Sequence, residues 1–262
     1  MMAAAREREV TGLCLRAMAL GEQDRLLTLL SAEEGLVRLA ASGARKPSSS
    51  LAAASPLTHL RGQVKRGRSL DRLGQISIFH SYGRLGQQLD TLAAAQWLLE
   101  LCLLLVPLGQ PVEGLLNLIL LRLDQLEALL IAAPEQRRSE ALALAVQSGV
   151  QIMQMGGYGL PLQSDCRSGE QLLPPVGNWS WRCSVIPAEG FCIGPQPGAV
   201  LLLNASELAL LQRLLRPQLP RRADGNLMGP DPVWERLLTL LGFWCGEHLG
   251  RTPRSLALLR QD

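Results

Sequence analysis

Up to about Tyr82 the apolar positions alternate with polar ones in short runs: Glu9 to Leu20, Asp24 to Ser31, Leu36 to Ala41, Leu57 to Val64 and Leu70 to His80. That period of two predicts five strands, and five short strands in so few residues suggest a small closed barrel. The turns are legible. "LGEQD" at 20–24 and "SAEEG" at 31–35 break the first two runs, and in "VKRGRS" at 64–69 Gly67 is placed to supply the positive φ of a hairpin. The intervening stretch "SGARKPSSSLAAASP" at 42–56 has strand pattern on both sides. It therefore reads as a long loop between the third and fourth strands, with its alanines forming a short helical turn or a packing surface.

After Tyr82 the period lengthens. The segments 85–106, 111–132 and 134–153 carry apolar residues at helical spacing, with Pro111 and Pro134 placed for first helical turns. Three such segments predict an antiparallel bundle. From Gly156 to Gly198 the pattern fails, with six prolines past Leu160 and tryptophans at 179 and 181, and this excursion reads as irregular. Helical spacing resumes at Ala205–Arg216 and at Pro232–Leu249. The expected fold is α+β, with a basic barrel domain at 1–82 followed by a helical domain at 83–262 that carries the irregular insertion 156–198.

Composition narrows the function. At 47% hydrophobic and 19% charged residues the chain reads as globular. No basic and apolar leader opens it, and its longest uncharged run is broken by glutamines and glycines, so neither a secretory signal nor a membrane span is expected. Six scattered cysteines read as reduced thiols, consistent with a cytoplasmic location. The net charge of +3 conceals an asymmetry, for residues 1–82 hold twelve Lys/Arg against seven Asp/Glu and the remainder fourteen against sixteen. All but two of the basic residues are arginine. Two readings of that bias stand together: bidentate phosphate contact and a coding preference.

Nothing in the chain assembles a reaction centre. His59, His80 and His248 lie in no motif with a nucleophile, there is no Walker loop, and "MGGYGLP" at 155–161 runs into a proline instead of a helix. Glu100, on an apolar helical segment, reads either as a partnered core carboxylate or as an anchor for a neighbouring strand.

The order of "GLCLRAMALGEQDRLLTLLSAEEGLVRLAASGARKPSSSL", "LDTLAAAQWLLELCLLLVP", "LLNLILLRLDQLEALL" and "LGRTPRSLALL" resembles the RecO family of bacterial recombination mediators, from Thr11 to about Leu130 and again at the end. The resemblance implies an N-terminal OB-fold, a helical C-terminal domain, and binding and annealing of single-stranded DNA in the RecF pathway. It also implies partnership with RecR and with the C-terminal tail of single-stranded DNA-binding protein, and association with the nucleoid. Many relatives hold zinc between two C-x-x-C pairs, but here Gly169 and Pro195 stand where the second cysteines would fall, leaving Cys166, Cys183 and Cys192. No metal or other cofactor is expected.

With that resemblance in hand, the expected DNA contacts are Arg45, Lys46, Arg61, Lys65, Arg66 and Arg68. Residues 1–82 contain no tryptophan and only Phe79 and Tyr82 as aromatics, so the expected grip is phosphate neutralisation without base stacking. Such a grip leaves base edges free to pair. The alternative is a helical interaction adaptor whose barrel binds a protein and whose basic face is incidental.

Overall fold

The structure, a computed structural model, describes residues 7–46 and 48–260. Two compact units emerge, one made of the chain up to Gln87 with Cys102–Glu127, the other of Gln88–Leu101 with the chain from Ala128 onward.

In the first unit β1 (Glu7–Leu20), β2 (Asp24–Ser31), β3 (Gly35–Ala41), β4 (Thr58–Lys65) and β5 (Asp71–Ser81) close a barrel in the order β1-β2-β3-β5-β4. The strands lie within a residue or two of the runs predicted for them. Leu57 is the instructive exception, because its φ of 66° ends any extended run and β4 begins one residue later. β1 serves two neighbours. It pairs with β4 from Glu7 to Leu13 and with β2 from Gly12 to Leu20. At the overlap a side chain on Gly12 would meet the Leu30 carbonyl oxygen at 2.5 Å, so only glycine fits where three strands converge.

Alternation places Val10, Cys14, Leu27, Leu29, Val37, Leu39, Leu60, Val64 and Leu73 inside the barrel. The 42–57 connection closes it. Ser49 caps a 3-10 turn at Ser50–Ala53 by accepting from the Leu51 amide, and Ala44, Leu51 and Ala54 pack into the same core. The alanine-rich stretch is thus a plug; burying Leu51 contributes roughly 2 kcal/mol.

The hairpin between β4 and β5 corrects one expectation. Gly67 is not among the residues with positive φ. Glycine is needed there for space, since a Cβ would sit 1.9 Å from the Leu70 carbonyl oxygen.

The helical segments do not form the predicted three-helix bundle. α2 (Leu115–Ala128) belongs with the barrel: the Tyr82 hydroxyl donates to Asp124 at 2.7 Å, and His80 Nε2 lies 2.8 Å from Glu127. Two polar residues on the helix therefore choose its partner. Pro111 also stands ahead of α2 instead of in its first turn.

In the second unit, the first turns of α1 (Leu89–Leu105) pack on α3 (Pro134–Met155), where buried Trp97 donates to the Ala145 carbonyl at 3.0 Å. Pro134 opens α3 as expected. α3 also packs against α5 (Asp231–Leu249). α4 (Ala205–Arg213) begins with a capping box between Asn204 and Glu207. Glu100 proves to be a partnered carboxylate. It accepts from the amides of Arg254 and Ser255 and from the Ser255 hydroxyl, holding the start of α6 (Ser255–Arg260). Burial alone would raise its pKa; these bonds more than reverse that and hold it below the ordinary value.

The excursion is more regular than its prolines suggest. β6 (Arg182–Ile186) and β7 (Gly190–Ile193) form a hairpin, and β8 (Leu201–Asn204) completes a sheet of order β7-β6-β8. Strands of four or five residues between prolines give too little alternation to register as a period.

Candidate nucleic-acid interface

OB-folds take oligonucleotides on the outer face of strands 2 and 3 and at the loops beside them. Here that face begins apolar, with Leu30 and Leu36 buried and the 106–110 segment laid on it through the Gly109 amide, which donates to the Leu36 carbonyl at 3.0 Å. One step further along, the register aligns Arg16 of β1 with Thr28 of β2 and Thr28 with Arg38 of β3. Directly paired residues share a face. Both arginines are exposed and Thr28 is buried between them. Neither arginine has a carboxylate partner among the described residues.

This row was not among the expected contacts. Arg38 is the one exposed position in "GLVRLAA", a signal available to sequence reading, but only the register shows that it stands in line with Arg16.

The expected contacts fall into two groups. Arg45 and Lys46 are exposed beside the β1–β2 turn: the Arg45 guanidinium donates to the Gly21 carbonyl at 3.0 Å, its amide to Gln23 at 2.9 Å, and the Gly43 amide to Asp24 at 2.7 Å. Two residues of a long loop, Gly43 and Arg45, are thereby stapled to a hairpin. Of the serines, Ser49 serves as the cap just described, while Ser48 and Ser50 are exposed.

The second group lies at the other end of β1, where Glu7 is opposite Lys65. Arg61 and Lys65 alternate outward on β4, and Arg66 and Arg68 continue in the hairpin. Asp71 holds the base of that hairpin, accepting from the Gly67 amide at 3.1 Å and from Arg8 at 3.0 Å. Lys65 meets Glu7 at 3.1 Å, an exposed pair that contributes little. Arg61 lies 5.3 Å from the centre of the Phe79 ring, which also contacts His59 at 5.0 Å. Burial lowers the His59 pKa, so that ring is neutral near pH 7. Tyr82 is buried and bonded to Asp124, leaving Phe79 as the barrel's exposed aromatic among the described residues.

These two groups are not one patch. They lie at opposite ends of β1, and the Arg16–Arg38 row lies along the strands between those ends.

The cysteines need a separate correction. Cys14, Cys102, Cys183 and Cys245 are free and buried, but Cys166 and Cys192 are joined as a disulfide, not held as two thiols. The reason is local: the Cys166 amide donates to Phe191 at 2.9 Å and Asp165 accepts from the Ile193 amide at 2.5 Å, drawing the 160s loop onto β7. Among the described residues, Glu189 is the one further donor grouped with the two sulfurs. Cys183 stands outside that group, with burial pushing its thiol up to about 12. Three donors, two of them tied to each other, do not fit a tetrahedral zinc site.

Comparison with known proteins adds a decisive observation: residues 5–82 match the family described as Recombination protein O N terminal, and residues 86–257 match Recombination protein O C terminal. The chain belongs to the RecO family. It is 56% identical to the DNA repair protein RecO of Synechococcus sp. (strain WH7803), over 97% of this chain and 94% of that one. To the DNA repair protein RecO of Prochlorococcus marinus (strain MIT 9303) it is 54% identical over 97% and 95%, and to that of Trichodesmium erythraeum (strain IMS101) 30% over 96% and 93%. RecO membership gives the chain a role in DNA repair and recombination, with an OB-type barrel followed by helices. No helix among the described residues is long and apolar enough to cross a membrane.

Proposed function

We propose that the barrel binds single-stranded DNA through its phosphates, without sequence preference, and promotes annealing of complementary strands. The observation that carries this reading is the set of exposed barrel cations without a carboxylate partner among the described residues: Arg16, Arg38, Arg45, Lys46, Arg61, Arg66, Arg68 and Arg72. Displaced counterions favour a strand laid on such a surface. Phosphate contacts fix its position and carry no sequence information. Base edges stay free, which suits pairing better than sequestration. In this reading 1–82 is the DNA-binding domain, and the helical domain from 83 supports partnership with RecR and with the acidic C-terminal tail of single-stranded DNA-binding protein. Recombinase loading in the RecF pathway and a nucleoid-associated, cytoplasmic location belong to the same reading. The chemistry asked of the protein is non-covalent.

A strand-annealing assay with complementary oligonucleotides, with and without single-stranded DNA-binding protein, tests it. Faster annealing that declines with salt is expected. Absence of both annealing and a low-salt mobility shift refutes the proposal. The adaptor reading draws on Met18 and Leu20, 44% and 38% exposed on β1; it predicts a protein complex that survives loss of the barrel cations.

A further inference from the structure

Trp179 is 84% exposed, while Trp97 and Trp234 are fully buried and Trp244 nearly so. It contributes almost nothing to the core, yet the backbone that carries it is hydrogen-bonded on both sides. The Asn178 side-chain oxygen accepts from the Ser180 amide at 3.1 Å, the Ser180 hydroxyl at 2.8 Å and the Trp181 amide at 3.2 Å. Arg182 donates to the carbonyls of Trp179 at 2.6 Å and Trp181 at 2.8 Å. Arg182 is itself fixed, as the first residue of β6 paired with Asn204 of β8.

The turn therefore presents an exposed indole on a hydrogen-bonded backbone, so that little main-chain freedom is lost on binding. Its charge is also distinctive. Arg167 is neutralised by Glu189 at 3.1 Å, whereas Arg182 bonds carbonyls and has no carboxylate partner among the described residues. An exposed aromatic face with an unneutralised guanidinium at its base is the pairing used to hold single strands: the ring takes a base and the cation takes a phosphate.

We propose that Trp179 and Arg182 form a second single-strand contact, outside the barrel, in which an unpaired base stacks on the indole and Arg182 meets the neighbouring phosphate. This rests on the reading that the protein binds single-stranded DNA, and it adds an indole to a barrel whose one exposed aromatic among the described residues is Phe79. Stacking engages the face of a base and leaves its pairing edge open, so it is compatible with annealing.

The test measures binding of the full chain and its Trp179→Ala and Trp179→Phe variants to a labelled oligothymidylate and to an abasic oligonucleotide of equal length. Trp179→Ala should weaken binding to the oligothymidylate by about fivefold or more, leave the abasic strand unaffected, and lose part of the tryptophan quenching seen on binding. Trp179→Phe should restore most of the affinity. Equal affinities for wild type and Trp179→Ala on both probes, or an equal loss on both, overturns the stacking contact and leaves the barrel reading standing. Wild-type protein that binds neither probe overturns both readings. Unchanged thermal melting of the variants separates these outcomes from misfolding.

Discussion

In the helical unit Arg137 is buried against Asp90 at 2.9 Å, Arg221 grips Glu140 with both terminal nitrogens at 2.7 Å, and Arg236 meets Glu207 at 2.7 Å. In the barrel Arg16, Arg38, Arg61, Arg66 and Arg68 face solvent with no carboxylate near them among the described residues, and Arg8, tied to Glu34 and Asp71, is the exception. At these positions the same residue type is architecture in the helical unit and unneutralised potential in the barrel, with Arg182, bonded to carbonyls alone, a counterexample within the helical unit. Composition cannot separate these uses. An arginine-rich chain is consistent with phosphate binding or with coding bias, and the division appears only when each guanidinium is followed to its partner.

Breaking a pair on each side sharpens the contrast. The largest stability effect is expected from Asp90→Ala. It leaves the buried Arg137 guanidinium uncompensated and should cost about 3 kcal/mol, read by denaturant unfolding, with the affinity of the barrel for DNA unchanged. Reversing Lys65, Arg66 and Arg68 to glutamate should do the opposite. Stability should stay within about 0.5 kcal/mol, while the slope of log affinity against log salt should shallow by up to roughly 2, at about 0.7 per single-strand phosphate contact. An unchanged slope removes the hairpin from the interface.

Arg45 and Lys46 to alanine, and separately Arg16 and Arg38 to alanine, should each shallow that slope by up to about 1.4. If only the second pair matters, the strand runs along the sheet face and bypasses the plug loop. The smallest effect concerns Glu100. Its folded pKa lies below the ordinary value, so its contribution is fully present above the unfolded pKa and is lost as pH falls through the folded one. Glu100→Gln should therefore cost about 1–2 kcal/mol near neutral pH, with the deficit shrinking on acidification. A deficit independent of pH would assign the loss to packing.

Much of the barrel was legible because its apolar runs are short and bounded by clear turns, although β2 and β3 bury nearly continuous stretches, and the plug loop because strands flank it. What escaped depended on partners distant in sequence. Nothing in α2 itself says that Asp124 and Glu127 will meet Tyr82 and His80, so its helical period was readable and its place was not. Gly67 was recognised as necessary for the wrong reason, since crowding against Leu70 is invisible until the hairpin closes. The Arg16–Thr28–Arg38 row needs strand register, and the β6–β7 hairpin is too short to announce itself among prolines.

The barrel's circumference is not uniform. β1 and β4 are paired over seven positions, whereas β3 and β5 meet over three, in parallel, from Leu39–Asp71 to Ala41–Leu73. Undoing that short seam leaves every hairpin intact and converts the cylinder into a five-stranded ribbon, β3-β2-β1-β4-β5. The seam is therefore the least costly line along which the barrel breathes, and its amides should exchange with solvent ahead of those along β1. In folding it is equally the last bond of the ring to close, a latch between segments that everything else has already brought into position.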